Sequence, residues 1–195
     1  MTASSTDDWA AAWQSMVAAV GTQFDPGPHE FTADVIEAGA VRRYLEPLEF
    51  DCPLHHDREV ARAHGHPDIL VPTSAIPTFA MAPMWQPGQH LFESADRNAQ
   101  PARTPVSGPR TDLEPPTTGF FATNYDVEYL RAVHVGDRLL RRGAKLLACR
   151  PKTTKVGRGA FLTWESEIIN QRLELVARLQ TTYFRYNPHG SVAPT

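Results

Sequence analysis

The spacing of the hydrophobic positions changes about two thirds of the way along the chain. Near the start, Trp9, Trp13, Met16, Val17 and Val20 recur at helical intervals. Ser5-Thr-Asp-Asp8 offers a hydroxyl cap and first-turn carboxylates before them, and Gly21 closes the run. The spacing predicts an amphipathic helix with one aromatic face, broken off at Asp25-Pro-Gly-Pro28. Val41, Tyr44, Leu45 and Leu48 share one side of a second short helix over Val35–Leu48, with Arg42, Arg43 and Glu46 opposite and Pro47 disturbing its last turn. Asp57–His64 reads as a further helical turn or two, stopped by Gly65. Ile69-Leu-Val71 then leads through Pro72-Thr-Ser-Ala75 into Ile76–Ala82, which is apolar on every side and predicts a buried helix, with Pro77 tolerated in its first turn.

Beyond residue 118 the period shortens. Asn124–Leu130 predicts a short strand and Val135-Gly-Asp137 a turn. Leu139–Ala148, Ala160–Asn170 and Leu173–Tyr186 predict long strands joined as antiparallel hairpins at 152–159 and 170–173. Helices first and a strand meander afterwards indicate an α+β fold, a curved antiparallel sheet laid across a buried helix. The intervening stretch, about 86–118, holds five prolines between 101 and 116 and few large apolar side chains. It reads as an irregular insertion, over a site or simply on the surface. The expected organisation is a helix and linker over 1–29, one domain over 30–186 and a tail over 187–195.

Composition narrows the function. A net charge of −3 and a pI near 6.2 give no electrostatic reason to expect nucleic acid or acidic membranes. The one basic cluster, Arg138-Leu-Leu-Arg-Arg142, alternates with leucines and reads as the solvated face of a strand, with contact to a phosphorylated ligand such as coenzyme A as the lesser reading. No apolar run reaches the roughly 18 residues that a membrane span needs. The acidic start is unlike a secretory leader, and the two distant cysteines, Cys52 and Cys149, fit reduced thiols in the cytoplasm. No metal site is expected, because neither CxxC nor HExxH spacing occurs.

Chemistry concentrates in EFDCPLHHD, residues 49–57. Adding water across a double bond beside a thioester requires a base for the water, an acid for the α-carbon, and donors for the enolate oxygen. Asp51 and His55 on this loop have the groups for the first two tasks. A backbone N–H where Pro72-Thr-Ser-Ala75 starts the buried helix has the position for the third. From spacing alone the same residues read first as a hydrogen-bonded polar loop.

Several strings together resemble the MaoC-like hydratases and dehydratases of hot-dog fold, in the branch related to the dehydratase domain of fatty acid synthase. They are YLEPLEFDCPLHHD (44–57), GHPDILVPTS (65–74), EYLRAVHVGDRL (128–139) and INQRLELVARLQTTYFRY (169–186). The likeness runs from about residue 30 to 186. It implies an acyl thioester of coenzyme A or acyl carrier protein as substrate, hydration of 2-enoyl or dehydration of 3-hydroxyacyl groups, and no cofactor. In active members a Gly-Asp-x-Asn-Pro-(Leu/Ile/Val)-His motif carries the catalytic pair. Here Pro53, Leu54 and His55 match its end, while Glu49, Phe50 and Cys52 stand at the glycine, aspartate and asparagine positions. Asp51 is one residue late, and in an extended segment would face another way.

The resemblance therefore implies His55 and Asp51 as candidate catalytic residues, and Pro72, Thr73, Ser74 and Phe50 as candidate substrate contacts. It also implies a subunit with a decayed motif that shapes the acyl pocket beside a related catalytic chain. A self-sufficient homodimeric hydratase using Asp51 and His55, and a non-catalytic acyl-thioester-binding protein, are the alternatives; a hot-dog thioesterase fits the loop less well. Asp57 is expected to start a helix, His56 to be structural or exposed, and His64 and His66 to face solvent. Tyr44 and Met81–Trp85 are expected in the core, bordering the acyl tunnel. Cys52 beside histidines does not by itself make a nucleophile. A lone curved sheet leaves a long unpaired edge, so a homodimer or a heteromer is expected.

Overall fold

The computed structural model describes residues 8–25, 30–101 and 108–189. The expected capping residues Ser5–Asp7, the Pro26–Pro28 break, residues 102–107 of the insertion and the tail from 190 lie outside the described residues.

The first amphipathic stretch folds as two short helices, α1 (Asp8–Ala11) and α2 (Gln14–Ala18). Trp13 and Met16 are buried as their spacing requires, whereas Val20 is exposed. β1 (Gln23–Asp25) follows, too short for its sequence to have shown an alternation. α3 (Ala38–Leu45) buries Val41 and Leu45. A 3-10 turn with Pro47 near its start (Glu46–Leu48) then changes the angular step, so Leu48 is exposed rather than continuing the apolar side. α4 (Arg58–Ala63) begins at Asp57, whose carboxylate accepts from the amides of Glu59 at 2.8 Å and Val60 at 3.2 Å. That is the expected cap.

The apolar run 76–82 is helical only in part. A 3-10 turn (Thr73–Ala75) passes into α5 (Ile76–Phe79), and Ala75, Ile76 and Ala80 are buried. Pro83 disfavours helical backbone at the residue before it, which is Ala82. Met81, Met84 and Trp85, expected in the core, are exposed.

Four long strands follow: β2 (Gly119–Tyr129), β3 (Leu139–Thr153), β4 (Gly157–Asn170) and β5 (Leu175–Pro188). The sheet is antiparallel in the order β1-β3-β4-β5-β2. β3 carries register shifts at 142–145 and 146–148 and is positive in φ (84°) at Gly143. Such bulges bend a strand, here beside its pairing with β1. β4 and β5 approach so closely at Gly159 that a Cβ there would lie 1.9 Å from the Arg185 carbonyl oxygen. The turn between them holds Leu173 at φ 61°, a left-handed conformation that glycine adopts at far lower cost. Asn170 braces it, its side-chain oxygen accepting from the amides of Arg172 and Glu174.

One side of the sheet carries two apolar clusters. The first joins Val41, Leu45, Val71 and Ile76 from the helical segments to Leu139, Ile168, Ala177 and Leu179. The second joins Trp13 and Met16 to Leu146, Leu162, Trp164 and Tyr183. Each large side chain so buried contributes roughly 1.5–3 kcal/mol. The described end of the insertion is pinned to β5. The Glu114 carboxylate lies 3.0 Å from Arg185 Nε, both side chains all but buried. Arg185 also donates to the Pro109 carbonyl at 2.9 Å and lies 4.7 Å over the Phe120 ring. Burial raises the Glu114 carboxyl above its usual range and lowers the Arg185 guanidinium.

Candidate functional site

The loop 49–57 is shaped by backbone geometry before chemistry. Glu49 closes the 3-10 turn in left-handed conformation (φ 48°, ψ 37°), a region that glycine occupies at far lower cost. This is the residue aligned with the glycine of the family motif. Pro53–His55 then form a second 3-10 turn, with the Cys52 carbonyl accepting from His55 N at 3.0 Å. His55 Nδ1 lies 2.7 Å from the Leu70 carbonyl oxygen. A carbonyl only accepts, so Nδ1 carries the proton, and in the neutral ring Nε2 is left as an acceptor. Leu70 N donates in turn to Leu54 O at 3.0 Å, clamping the loop to the segment before α5.

Asp51 is exposed, whereas the Phe50 ring lies 5.6 Å from the His55 ring. The fold thus brings His55 against Phe50 and not into a pair with Asp51. His56 is exposed and holds the Phe50 carbonyl at 2.9 Å through Nε2, which gives it a structural part. Cys52 is a half-buried free thiol; Cys149 is a core cysteine whose thiol burial pushes up to about 11. Pro72 is buried and Thr73 and Ser74 are exposed at the start of the turn into α5, where the first amides have no partner within the helix.

Sequence reasoning missed a neighbouring cluster. Leu70 bridges to His134, and His134 Nε2 lies 3.1 Å from His66 Nδ1. His64 is exposed as expected, but His66 is not a solvent-facing residue. Asp137, 7% exposed, accepts from the His134 amide at 2.9 Å and from Gln171 Nε2 at 2.8 Å. Burial lowers the His134 imidazole from its ordinary range, opposed by the Asp137 carboxylate. The two imidazoles are far apart in sequence, and only their shared histidine identity could have hinted at the pairing. Among the described residues no group of three or more His, Cys, Asp or Glu is placed to hold a metal ion.

A cavity of about 850 Å³ lies away from His55. It opens where α5 ends, between Met81, Met84, Leu113, Phe24, Tyr183 and Arg141. The loop chemistry and this cavity thus lie at opposite ends of the short central helix. Arg141 is itself a correction to the expected solvated face. It pairs across the strands with Ile168, and its Nε donates to the buried Ser166 hydroxyl at 3.0 Å, so it lies on the core side of the sheet. β2 forms one edge of the sheet and has no buried residue; Phe121, Tyr125 and Tyr129 are exposed along it. Among the described residues no helix is long and apolar enough to cross a membrane.

Comparison with known proteins adds three findings. The model of the FAS1-like, dehydratase domain region, matches residues 18–179. A UPF0336 protein of Saccharopolyspora erythraea is 27% identical over 154 residues, covering 77% of this chain and 87% of its own. Among solved structures, the ChsH1–ChsH2 complex from Mycobacterium tuberculosis superposes with a TM-score of 0.62 at 23% identity, over 95% of this chain and 100% of that one. The HadBC (3R)-hydroxyacyl-ACP dehydratase complex of the same organism gives 0.52 at 11% identity, over 84% and 96%. The (R)-hydratase of A. caviae gives 0.52 at 16%, over 87% and 96%. At these identities the structures speak to the fold, which is the hot-dog fold with its antiparallel sheet around a central helix.

Proposed function

Since the chain belongs to the family of FAS1-like dehydratase domain regions, among the MaoC-like hot-dog hydratases and dehydratases, we propose that it is one subunit of an (R)-specific enoyl-thioester hydratase or 3-hydroxyacyl-thioester dehydratase. In this reading it is the subunit whose motif has decayed. One observation carries it. Glu49 keeps the left-handed backbone that suits the motif's glycine, which supports the alignment that puts Phe50, not Asp51, at the aspartate position. A phenyl ring cannot take a proton from water. A related chain then supplies the intact Asp–His pair, and this chain contributes the acyl-binding surface and half of the assembly.

The remaining parts fit that division. In hydration, a base removes a proton from water as its oxygen attacks the β-carbon, the α-carbon is protonated, and the enolate oxygen needs donors in between. The exposed first amides of the turn at Thr73 and Ser74 are of the right kind to hold a thioester oxygen. The bare edge of β2, with its exposed aromatic side chains, gives a second sheet a place to join.

The test is turnover of crotonyl-CoA and of a bulkier enoyl-CoA. The chain alone should be inactive, and active when combined with a related chain carrying the intact motif. In that complex His55→Ala should lower activity only mildly. The bare Nε2 of His55 favours a second reading, the self-sufficient homodimer. Turnover by the chain alone, lost in both Asp51→Asn and His55→Ala, would establish that instead. Acyl-CoA binding without turnover in any combination would leave a binding protein.

A further inference from the structure

The core side of the sheet is apolar toward both ends and polar across its middle. Arg141 on β3 reaches Ser166 on β4. Ser166 pairs with Leu179 on β5, and two residues along that strand Thr181 pairs with Trp164 on β4 and with Tyr125 on β2. These residues run along the boundary between the two apolar clusters, with Ile168 and Leu179 in one and Leu146, Trp164 and Tyr183 in the other. Polar groups at such a place are costly unless something pairs with them. Two of them have no partner: Thr181 Oγ1 and Trp164 Nε1 are fully buried without a hydrogen bond, on residues only 4% and 3% exposed. Arg141 is half-buried, its hydrogen-bond partner is a neutral hydroxyl, and among the described residues no carboxylate stands within ion-pair distance of it.

Thr181 and Trp164 lie behind the wall of the 850 Å³ cavity. Arg141 lines it directly. Trp164 packs edge-on against Phe24 at 5.5 Å, and Phe24 is a wall of the cavity; Tyr183, another wall, lies two residues from Thr181 on β5. The three groups share one preference, since a guanidinium, an indole N–H and a hydroxyl can all donate to an acceptor oxygen. The guanidinium adds a positive charge for a negative one. Met81, Met84 and Leu113 give apolar stretches of wall suited to a hydrocarbon body, between polar ones that include Arg110, Asp25 and Asp112.

We propose that the cavity takes an acyl body that carries a carboxylate away from its thioester, received by Arg141. This deepens the proposed function: the substrate class becomes a medium-length acyl thioester with a distal acid, in place of a plain fatty chain. It rests on that function only for the thioester end. The cavity opens at the far end of the segment that starts at Thr73, so the reacting carbons and the distal acid are held at opposite ends of one short helix.

Isothermal titration of the full chain with suberyl-CoA and octanoyl-CoA tests the proposal. The diacid thioester should bind at least tenfold more tightly, and Arg141→Met should bring the two within twofold while octanoyl-CoA binding holds. Equal binding of the two thioesters to the unaltered chain, or an equal loss of both in Arg141→Met, overturns the proposal. If neither thioester binds, the thioester reading has failed, and the cavity is judged by free monomethyl suberate against dimethyl suberate. A preference for the free acid that Arg141→Met removes sustains the distal-acid site; no preference overturns it.

Discussion

The loop at 49–57 and the end of the insertion at 108–118 invite opposite expectations and reverse them. The loop carries the residues of chemical promise, yet Asp51 is exposed and the ring beside His55 is a phenylalanine. The insertion reads as surface, yet it buries Glu114 against Arg185. Burying a charge demands a close partner, so a buried pair marks where geometry is held most strictly. The difference teaches that density of reactive residue types and investment of burial are separate signals. In this chain the second one leads to the cavity.

The sharpest way to break the comparison is to remove one member of the pair. Glu114→Ala should cost about 3–5 kcal/mol, since it removes the buried carboxylate that lies 3.0 Å from the Arg185 guanidinium. Urea unfolding should show it directly, and a loss below about 1 kcal/mol would mean that solvent reaches the pair. The loop should behave differently. Rebuilding its motif with Glu49→Gly, Phe50→Asp and Cys52→Asn should create hydratase activity toward crotonyl-CoA in the chain alone, with little change in the melting temperature. Continued inactivity of a folded triple variant would show that more than the motif is missing.

A smaller effect comes from the histidine cluster beside the loop. Burial keeps the His134 imidazole neutral to lower pH in the folded chain than in the unfolded one. Below the ordinary histidine value, about 6.5, the unfolded state therefore binds more protons, and stability falls as pH drops through that range. The raised Glu114 carboxyl works the other way, adding stability as pH falls through its own elevated range. Melting temperatures measured from about pH 8 to 5 should decline, and His134→Gln should flatten the decline. An unchanged slope in that variant would remove His134 as its source. Last, Leu173→Gly should stabilise the fold by about 1 kcal/mol, because it relieves a left-handed leucine that is 70% exposed and loses little packing.

Much of the architecture was legible. β3, β4 and β5 declared themselves by β-branched and aromatic runs, whereas β2 read only as a short strand over Asn124–Leu130 and is in fact Gly119–Tyr129; Asp57 declared itself by its place before a helical stretch. What was hidden had physical causes. β1 is only three residues long. Pro83 shortened a helix that an unbroken apolar run had suggested. The orientation of Arg141 was masked because both leucines before it, Leu139 and Leu140, are buried, so alternation could not choose a face for the arginines. The contacts of His66 with His134 and of Glu114 with Arg185 join distant parts of the chain, and no local pattern encodes them. At the candidate site, the motif's departure at Phe50 was readable residue by residue, whereas the side-chain partner of His55 needed the fold.

Phe24 and Asp25 belong at once to β1 and to the wall of the cavity, where the bulge at Gly143 bends β3 beside them. Occupancy of the chamber and docking of the chain's beginning are therefore thermodynamically linked. A guest that presses on Phe24 also holds a three-residue strand in register, and fraying of that strand would open a side exit for the guest.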